Sequence, residues 1–93
     1  MIRNFADART EAVFNGEAPR GLPPDIIAAA LRRLSRLHSA TELEQLRVPP
    51  GNRLEQLRGN LSGFWSIRVN DQYRVIFRFA AGNATEVAIV DYH

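Results

Sequence analysis

The sequence predicts an α+β fold in which two or three helices pack on one face of a twisted antiparallel β-sheet. Two observations carry this prediction. Apolar residues recur at spacings of three and four in the first half of the chain, and from Arg53 onward they alternate with a period of two. With 93 residues, 45% of them hydrophobic and 24% charged, the chain has the size and composition of one folded domain, which we expect to span residues 1–93.

Two helices are expected in the first half. Asp7 can cap a first helix, which Asn15 and Gly16 would end. A proline-rich connector follows, and Pro24 or Asp25 begins the second helix. The apolar stripe of this second helix is formed by Ile27, Ala30, Leu31, Leu34 and Leu37.

Shorter elements flank these helices. The alternation in residues 2–5 is typical of an edge strand. Thr41, followed three residues later by Glu44, has the form of a capping box, which predicts a short third helix that stops before Pro49. His38 follows the long helix and is expected to be a helix-end or surface residue.

The second half predicts an antiparallel meander of three strands over residues 65–69, 73–79 and 87 onward. A weaker strand is expected at Arg53 to Arg58, with Gly59 to Gly63 as the turn that follows it. The pentapeptide Leu-Glu-Gln-Leu-Arg occurs at 43–47 and again at 54–58, and we interpret this as coincidence because there is no third copy.

The strand register can be predicted because paired residues of antiparallel strands point to the same face, so apolar residues must meet apolar residues. Pairing Val69 with Tyr73 satisfies this rule and sets Arg68 opposite Arg74 on the other face. At the next turn the same rule pairs core residues Phe77 with Val87 and Val75 with Ile89.

This register sets Arg78 opposite Glu86 and Tyr92 diagonally near Arg74. Arg78 therefore has an acidic partner, whereas none is predicted for Arg68 and Arg74, whose repulsion costs on the order of 0.2–1 kcal/mol.

The Arg68 and Arg74 pair has two interpretations. The guanidinium groups converge on a phosphate, or they splay apart into water. The C-terminal Asp91, Tyr92 and His93 favour the phosphate site, because they place an acceptor, a phenol and an imidazole beside the arginines. Phe64 and Ile76 share this face, where they could stack a base, support the arginine stems or be covered by a partner protein, whereas Trp65 is expected in the core.

Composition limits the chemistry. The 12 basic residues are all arginine, and residues 47–78 hold six of them against only Glu55 and Asp71. Glu55 could act as a general base, although a solvated or ion-paired glutamate is the interpretation we prefer. With zero cysteines and two histidines, no metal site and no cofactor are expected. We find no signal peptide or apolar membrane span, and therefore expect a cytoplasmic protein that does not engage the membrane.

Four ordered motifs carry a resemblance to a known family: 49–59 (PPGNRLEQLRG), 65–70 (WSIRVN), 73–75 (YRV) and 90–93 (VDYH). With the early stretch 20–23, they resemble the HigB-type toxins of bacterial type II toxin-antitoxin modules, the plasmid-maintenance killer group of the RelE superfamily. The resemblance implies a RelE-like fold and an mRNA endoribonuclease that acts on translating ribosomes and inhibits translation. It also implies a cognate helix-turn-helix antitoxin, through which alone the toxin would reach DNA.

The resemblance also implies a metal-independent reaction in which the ribose 2′-hydroxyl attacks the phosphate, giving a 2′,3′-cyclic phosphate. Transferred residue by residue, the scissile phosphate is held by Arg68 and Arg74, His93 is the candidate acid or base, and Tyr92 and Asp91 orient the substrate. The RNA-binding residues implied around this catalytic set are Arg53, Arg58, Asn70 and Arg78. Many relatives have lysine at the position of Arg58, and an arginine there holds phosphate but is a poor proton shuttle.

A second function remains possible. The gyrase-directed ParE relatives share the scaffold but not the activity, so the chain could be a non-enzymatic poison or binding module. The presence of Asp91, Tyr92 and His93 together with the two strand arginines favours the nuclease, because a pure binder has no need of this combination.

Overall fold

A computed structural model describes residues 1–92. It contains two α-helices and a four-stranded antiparallel sheet, joined by three short 3₁₀ turns. The helices are α1 (Ala8–Phe14) and α2 (Pro24–Ser39), and the strands are β1 (Glu55–Gln56), β2 (Trp65–Arg68), β3 (Tyr73–Ala80) and β4 (Asn83–Asp91). No helix within these residues is long and apolar enough to cross a membrane.

The strands follow one another in chain order, β1-β2-β3-β4, which confirms the predicted meander. The N-terminal segment lies beside β4, as the edge-strand prediction requires, but it forms only two parallel bridges, Ile2 with Ala84 and Phe5 with Val87. The Nδ1 atom of His38 accepts a hydrogen bond from the Ile2 backbone N–H at 3.1 Å. His38 is therefore a half-buried residue that ties the N-terminal segment to α2.

Between β2 and β3 the predicted register is confirmed. Trp65 pairs with Phe77, and Arg68 pairs with Arg74. The Val69 N–H donates to the Tyr73 carbonyl at 3.0 Å, so the three-residue loop begins where expected.

Between β3 and β4 the prediction is only partly right. Val75 pairs with Ile89 as expected, but Arg78 pairs with Thr85 instead of Glu86. The turn at Ala81 and Gly82 explains the difference: both have positive φ, as a two-residue hairpin turn requires, and this turn sets a register one residue away from the one that the core demands.

A β-bulge between the two registers restores the match. Beyond Ile76 and before Arg78, one residue of β3 faces two residues of β4, and Glu86 adopts the left-handed conformation with φ 53°. Its backbone N–H donates to the Asn4 side chain at 2.6 Å. The bulge lets both ends of the hairpin keep apolar residues on the core face.

The core lies between the helices and one face of the sheet. Its most buried large side chains include Phe77, Leu34, Leu37, Ile67 and Ile89. The stripe predicted for α2 needs one correction, because Ile26 is buried while Ile27 and Leu31 are only partly buried.

The predicted third helix is a 3₁₀ turn, Leu43–Arg47. Its capping box lies one residue later than expected: Glu42 is the cap, and Gln45 instead of Glu44 accepts the backbone N–H groups of Thr41 and Glu42. The side chain that reaches back is therefore the amide of Gln45. The carboxylate of Glu44 pairs with Arg47 instead.

The second face of the sheet carries no helix. A small apolar cluster covers part of it, with Leu57, Ile76 and Ala88 buried and Phe64 packed against them. The arginines of β2 and β3 surround this cluster, so the helix-free face is the one on which a charged ligand can approach them.

Candidate functional site

Arg74 lies at the centre of the helix-free face and is bound on three sides. Its NH1 group donates to the hydroxyl of buried Ser66 at 2.6 Å, and its NH2 group donates to Glu55 Oε1 at 3.3 Å. The guanidinium carbon lies 5.5 Å from the centre of the Tyr92 ring, within cation–π range. Only 12% of the Arg74 side chain is exposed, against 52% for Glu55.

Arg68 stands opposite Arg74 in the register and is held at the loop that follows β2. Its guanidinium pairs with Asp71, a fully exposed carboxylate three residues later. From the helix layer, the Arg33 Nε–H donates to the Arg68 carbonyl at 2.9 Å and anchors the end of the strand.

The prediction that Arg68 and Arg74 lack acidic partners is therefore wrong. Each guanidinium has one carboxylate, Asp71 for Arg68 and Glu55 for Arg74. These partners offset the expected repulsion.

Arg78 extends the cationic surface along β3. Its Nε–H pairs with Glu86 Oε2 at 2.9 Å, so the predicted partner is confirmed although the two residues are not in direct register. Its guanidinium carbon lies 4.4 Å from the Phe64 ring centre, so Phe64 packs under the charged group of an arginine. Gly63 beside it has φ +93°, a backbone conformation that favours glycine, and a Cβ there would displace the guanidinium of Arg78.

The C-terminal motif reaches the same site in part. The Tyr92 N–H donates to the Gln72 carbonyl at 2.6 Å, which fixes the tyrosine next to Arg74, as predicted. Asp91 pairs with Tyr73 and so belongs to the alternate residues of β4 that lie on the core side of the sheet. Its Oδ2 accepts a hydrogen bond from Gln72 Nε2 at 3.1 Å. His93 lies outside the described residues.

The other residues predicted to bind RNA differ in whether their side chains already make hydrogen bonds within the protein. Arg53 and Arg58 flank β1, both are exposed, and neither side chain has a hydrogen bond or ion pair within residues 1–92. Asn70 instead shapes the β2-β3 loop, since its Oδ1 accepts the backbone N–H groups of Gln72 at 2.9 Å and Tyr73 at 2.7 Å. That oxygen is fully used by the turn.

Ser66 belongs to the site although the sequence did not single it out, and Glu55, considered from the sequence as a general base or an ion-paired residue, lies there too. Glu55 is ion-paired as expected, but its partner proves to be the central arginine. The register of the weak strand would have placed both residues at the site, because Glu55 of β1 pairs directly with Ser66 of β2. A two-residue strand contains too little alternation to predict that register.

The chain matches a known family and curated relatives along nearly its whole length. Residues 3–93 match the HigB-like toxin family, described as the RelE-like toxin of the type II toxin-antitoxin system HigB. The chain belongs to the HigB-like toxin family. It is 45% identical over 85 residues to Toxin HigB-1 of Vibrio cholerae, covering 90% of each chain. It is 30% identical to Endoribonuclease HigB of Proteus vulgaris, covering 100% of each.

Solved structures share the fold of this HigB-like chain at lower identity. The YoeB-YefM complex of Staphylococcus aureus aligns over 100% of this chain and 98% of that one, with TM-score 0.61 and 16% identity. The RelBE2 toxin-antitoxin complex of Mycobacterium tuberculosis aligns over 99% and 96%, with TM-score 0.57 and 19% identity. The architecture is therefore the RelE-like α+β fold.

The site of this HigB-like chain combines a largely buried cation with a half-exposed carboxylate. A buried serine and an aromatic ring hold Arg74 in place, while Glu55 is half exposed and joined to it by one long contact. Such a site can bind an anion between two arginines and keep a proton acceptor beside it.

Proposed function

We propose that this chain is a toxin that cleaves mRNA on the translating ribosome and thereby inhibits translation. The observation that carries the proposal is the cross-strand pair Arg68 and Arg74, with Tyr92 and Glu55 in contact with Arg74 on the helix-free face. A relative of the same length is named an endoribonuclease, which supports the same activity here.

The reaction needs no redox or group carrier. The 2′-oxygen of the ribose forms a bond to phosphorus, the bond from phosphorus to the 5′-oxygen breaks, and a 2′,3′-cyclic phosphate and a 5′-hydroxyl result. Arg68 and Arg74 stabilise the negative charge that develops on the phosphate oxygens. Positive charge from two guanidinium groups takes the place that a metal ion has in other nucleases, and we therefore expect metal independence.

Two residues complete the proton transfers. The phosphate displaces Glu55 from Arg74, and the freed carboxylate takes the proton of the 2′-hydroxyl. His93, by the family resemblance, returns a proton to the leaving 5′-oxygen. Tyr92 orients the RNA, and exposed Arg53 and Arg58 supply further phosphate contacts.

The partners follow from the same assignment. The solved relatives include toxin-antitoxin complexes, which supports a protein antitoxin for this chain. We propose that the antitoxin is a helix-turn-helix protein and that DNA is reached only through the complex. A substrate on translating ribosomes places the activity in the cytoplasm.

Cleavage sites in living cells test the proposal. Brief induction followed by sequencing of RNA 5′ ends should show new 5′-hydroxyl ends within coding regions, and Arg74→Ala should remove them. Arg20→Ala is the matched control, because Arg20 is exposed in the connector before α2 and should leave cleavage unchanged. DNA damage without new RNA ends would overturn the nuclease in favour of the gyrase-directed alternative.

Purified components test the chemistry. Programmed ribosomes in just enough magnesium to remain intact should support cleavage. Magnesium above that level should not raise the rate, and a chelator that removes transition-metal ions but leaves magnesium in place should not abolish it. A message with a 2′-deoxy sugar at the cut site should bind and resist, because the nucleophile is missing. Cleavage of the deoxy message would contradict attack by the 2′-hydroxyl.

A further inference from the structure

A groove on the helix layer has no role in the proposed reaction. It encloses about 790 Å³ between the outward side of α2 and the loop around Pro49, which is within the range of ligand-binding pockets. Because α2 packs on the core face of the sheet, this groove lies on the opposite side from Arg74.

Three arginines of α2 line this groove: Arg32, Arg33 and Arg36. None of them forms an ion pair with a carboxylate within residues 1–92, whereas Arg68, Arg74 and Arg78 each do. Within residues 1–92, no ion pair with an acidic side chain neutralises the positive charge of these three arginines.

The positive charge of Arg33 is disfavoured by its surroundings. Burial lowers the pKa of Arg33, and the guanidinium groups of Arg32, Arg68 and Arg36 lower it further. A negative group placed in the groove would relieve this repulsion, because opposite charges within a few ångströms favour the charged form.

Two of these arginines are already oriented. The Arg36 NH2 group donates to the Val48 carbonyl, and the Arg33 Nε–H donates to the Arg68 carbonyl. Each keeps further N–H donors for a ligand. Ordering these side chains before binding lowers the entropic cost of recognising an anion.

The rest of the groove combines aliphatic residues with the polar side chains of Ser35, Ser39 and Asn52. Ala28, Leu31 and Pro49 form its apolar part, and Val48 beside it is an exposed large hydrophobic residue. Among residues 1–92, no aromatic side chain lines the groove, in contrast to the helix-free face with Phe64 and Tyr92. Single-stranded nucleic acid is normally held by aromatic stacking as well as by charge, so the lining favours a protein ligand.

We infer that this groove docks a segment of a partner protein that carries carboxylates beside aliphatic side chains. Arg32 and Arg36 lie one helical turn apart on α2 and would meet two carboxylates at matching spacing. The aliphatic side chains of the segment would cover Leu31 and Pro49. The inference does not depend on RNA cleavage.

Selection of random 16-residue peptides on the purified full chain tests this inference. Peptides are kept if they bind the parent, and the affinity of each is then measured for the parent and for the Arg32→Glu/Arg36→Glu variant. The recovered peptides should carry Asp or Glu interleaved with Leu, Ile or Val, and should lose at least about tenfold in affinity on the double variant. Leu31→Ser should weaken them separately, with binding mapped by amide chemical shifts on α2.

Arg3→Glu/Arg20→Glu is the matched control, because it makes the same change in net charge at exposed arginines outside the groove. If the peptides lose as much affinity for the Arg3→Glu/Arg20→Glu control as for the Arg32→Glu/Arg36→Glu variant, they respond to overall charge, and the inference is overturned. It also fails if no recovered peptide depends on Arg32 and Arg36, or if those that do lack acidic residues. A 20-nucleotide RNA that binds this groove and is lost only on the Arg32→Glu/Arg36→Glu variant would assign the groove to nucleic acid instead.

Discussion

Arg74 shows how one side chain can serve both the fold and the site. It satisfies the hydroxyl of Ser66, which is fully buried, and it holds Glu55 beside the face where substrate approaches. Its side chain is mostly buried, so its position is set before any phosphate arrives. Preorganised cations of this kind are more effective in a transition state than mobile surface charges.

Arg74→Ala should therefore abolish cleavage and lower the free energy of unfolding by about 1 kcal/mol, because a buried hydroxyl and a carboxylate lose their partner. This differs from the expectation of a neutral or stabilising change, which follows if the arginines only repel. Thermal denaturation of the parent, Arg74→Ala and Arg20→Ala measures the difference. An Arg74→Ala variant more stable than the parent would contradict the structural role.

Glu55→Gln separates the two roles of the glutamate. The amide oxygen can still accept a hydrogen bond from Arg74, but the side chain can no longer take a proton. Single-turnover cleavage should fall by roughly 10²–10⁴-fold while ribosome binding and stability stay unchanged. Full activity of Glu55→Gln would leave Glu55 as a partner of Arg74 and move the proton acceptor elsewhere.

At the level of elements, the repeated pentapeptide shows the limit of local sequence. Leu-Glu-Gln-Leu-Arg forms a 3₁₀ turn at Leu43–Arg47, while its second copy contributes β1, Glu55–Gln56. The first copy begins after a capping residue, whereas the second lies beside β2 and pairs with it. Tertiary contacts decide between the two conformations, as they commonly do for short segments.

Helix α1 closes the outer edge of β4. Within the buried interior, the Thr10 hydroxyl accepts the Ile89 N–H at 2.9 Å, and Arg9 NH2 donates to the Ile89 carbonyl at 3.0 Å. The two bridges of the N-terminal segment cover the preceding part of the same edge. An edge that would otherwise pair with another chain is thus satisfied within the fold.

Thr10→Val tests this closure. The substitution keeps the side-chain volume but leaves the Ile89 N–H buried without an acceptor, so the free energy of unfolding should fall by about 1–3 kcal/mol. Thr10→Ser retains the hydroxyl and should cost much less. Chemical denaturation of both variants provides the measurement, and equal losses for the two would show that packing of the methyl group matters instead.

For the molecule as a whole, the sequence predicted which face of the sheet each strand residue occupies better than it predicted the bulge and the ion-pair partners. Strict alternation set Arg68 opposite Arg74 and placed Tyr92 nearby, because a slip of one residue would bury charge. The bulge at Glu86 could not be predicted, since it arises from a conflict between turn geometry and core register. The partners Asp71 and Glu55 also escaped prediction, because a loop and a two-residue strand bring them to the arginines.

The two faces of the molecule carry two different cationic surfaces. On the helix-free face each strand arginine has an acidic partner, while the arginines of the α2 groove have none within residues 1–92. An acidic antitoxin that contacts Arg68, Arg74 or Arg78 must displace a carboxylate, whereas one that contacts the arginines of the α2 groove need not. Salt should weaken contact with either surface, and charge-reversal variants can tell the two apart.

We expect the complex with the cognate antitoxin to bind at least about tenfold more weakly at 1 M than at 0.1 M salt, since the Debye length shortens from about 10 Å to about 3 Å. Dissociation rates measured by surface plasmon resonance across this range test the expectation. Arg78→Glu reports on the helix-free face and Arg32→Glu on the α2 groove, and both residues are exposed. The variant that weakens the complex and flattens its salt dependence identifies the face in contact. A dissociation rate that ignores salt, with neither variant changing it, would place the antitoxin on apolar surface instead.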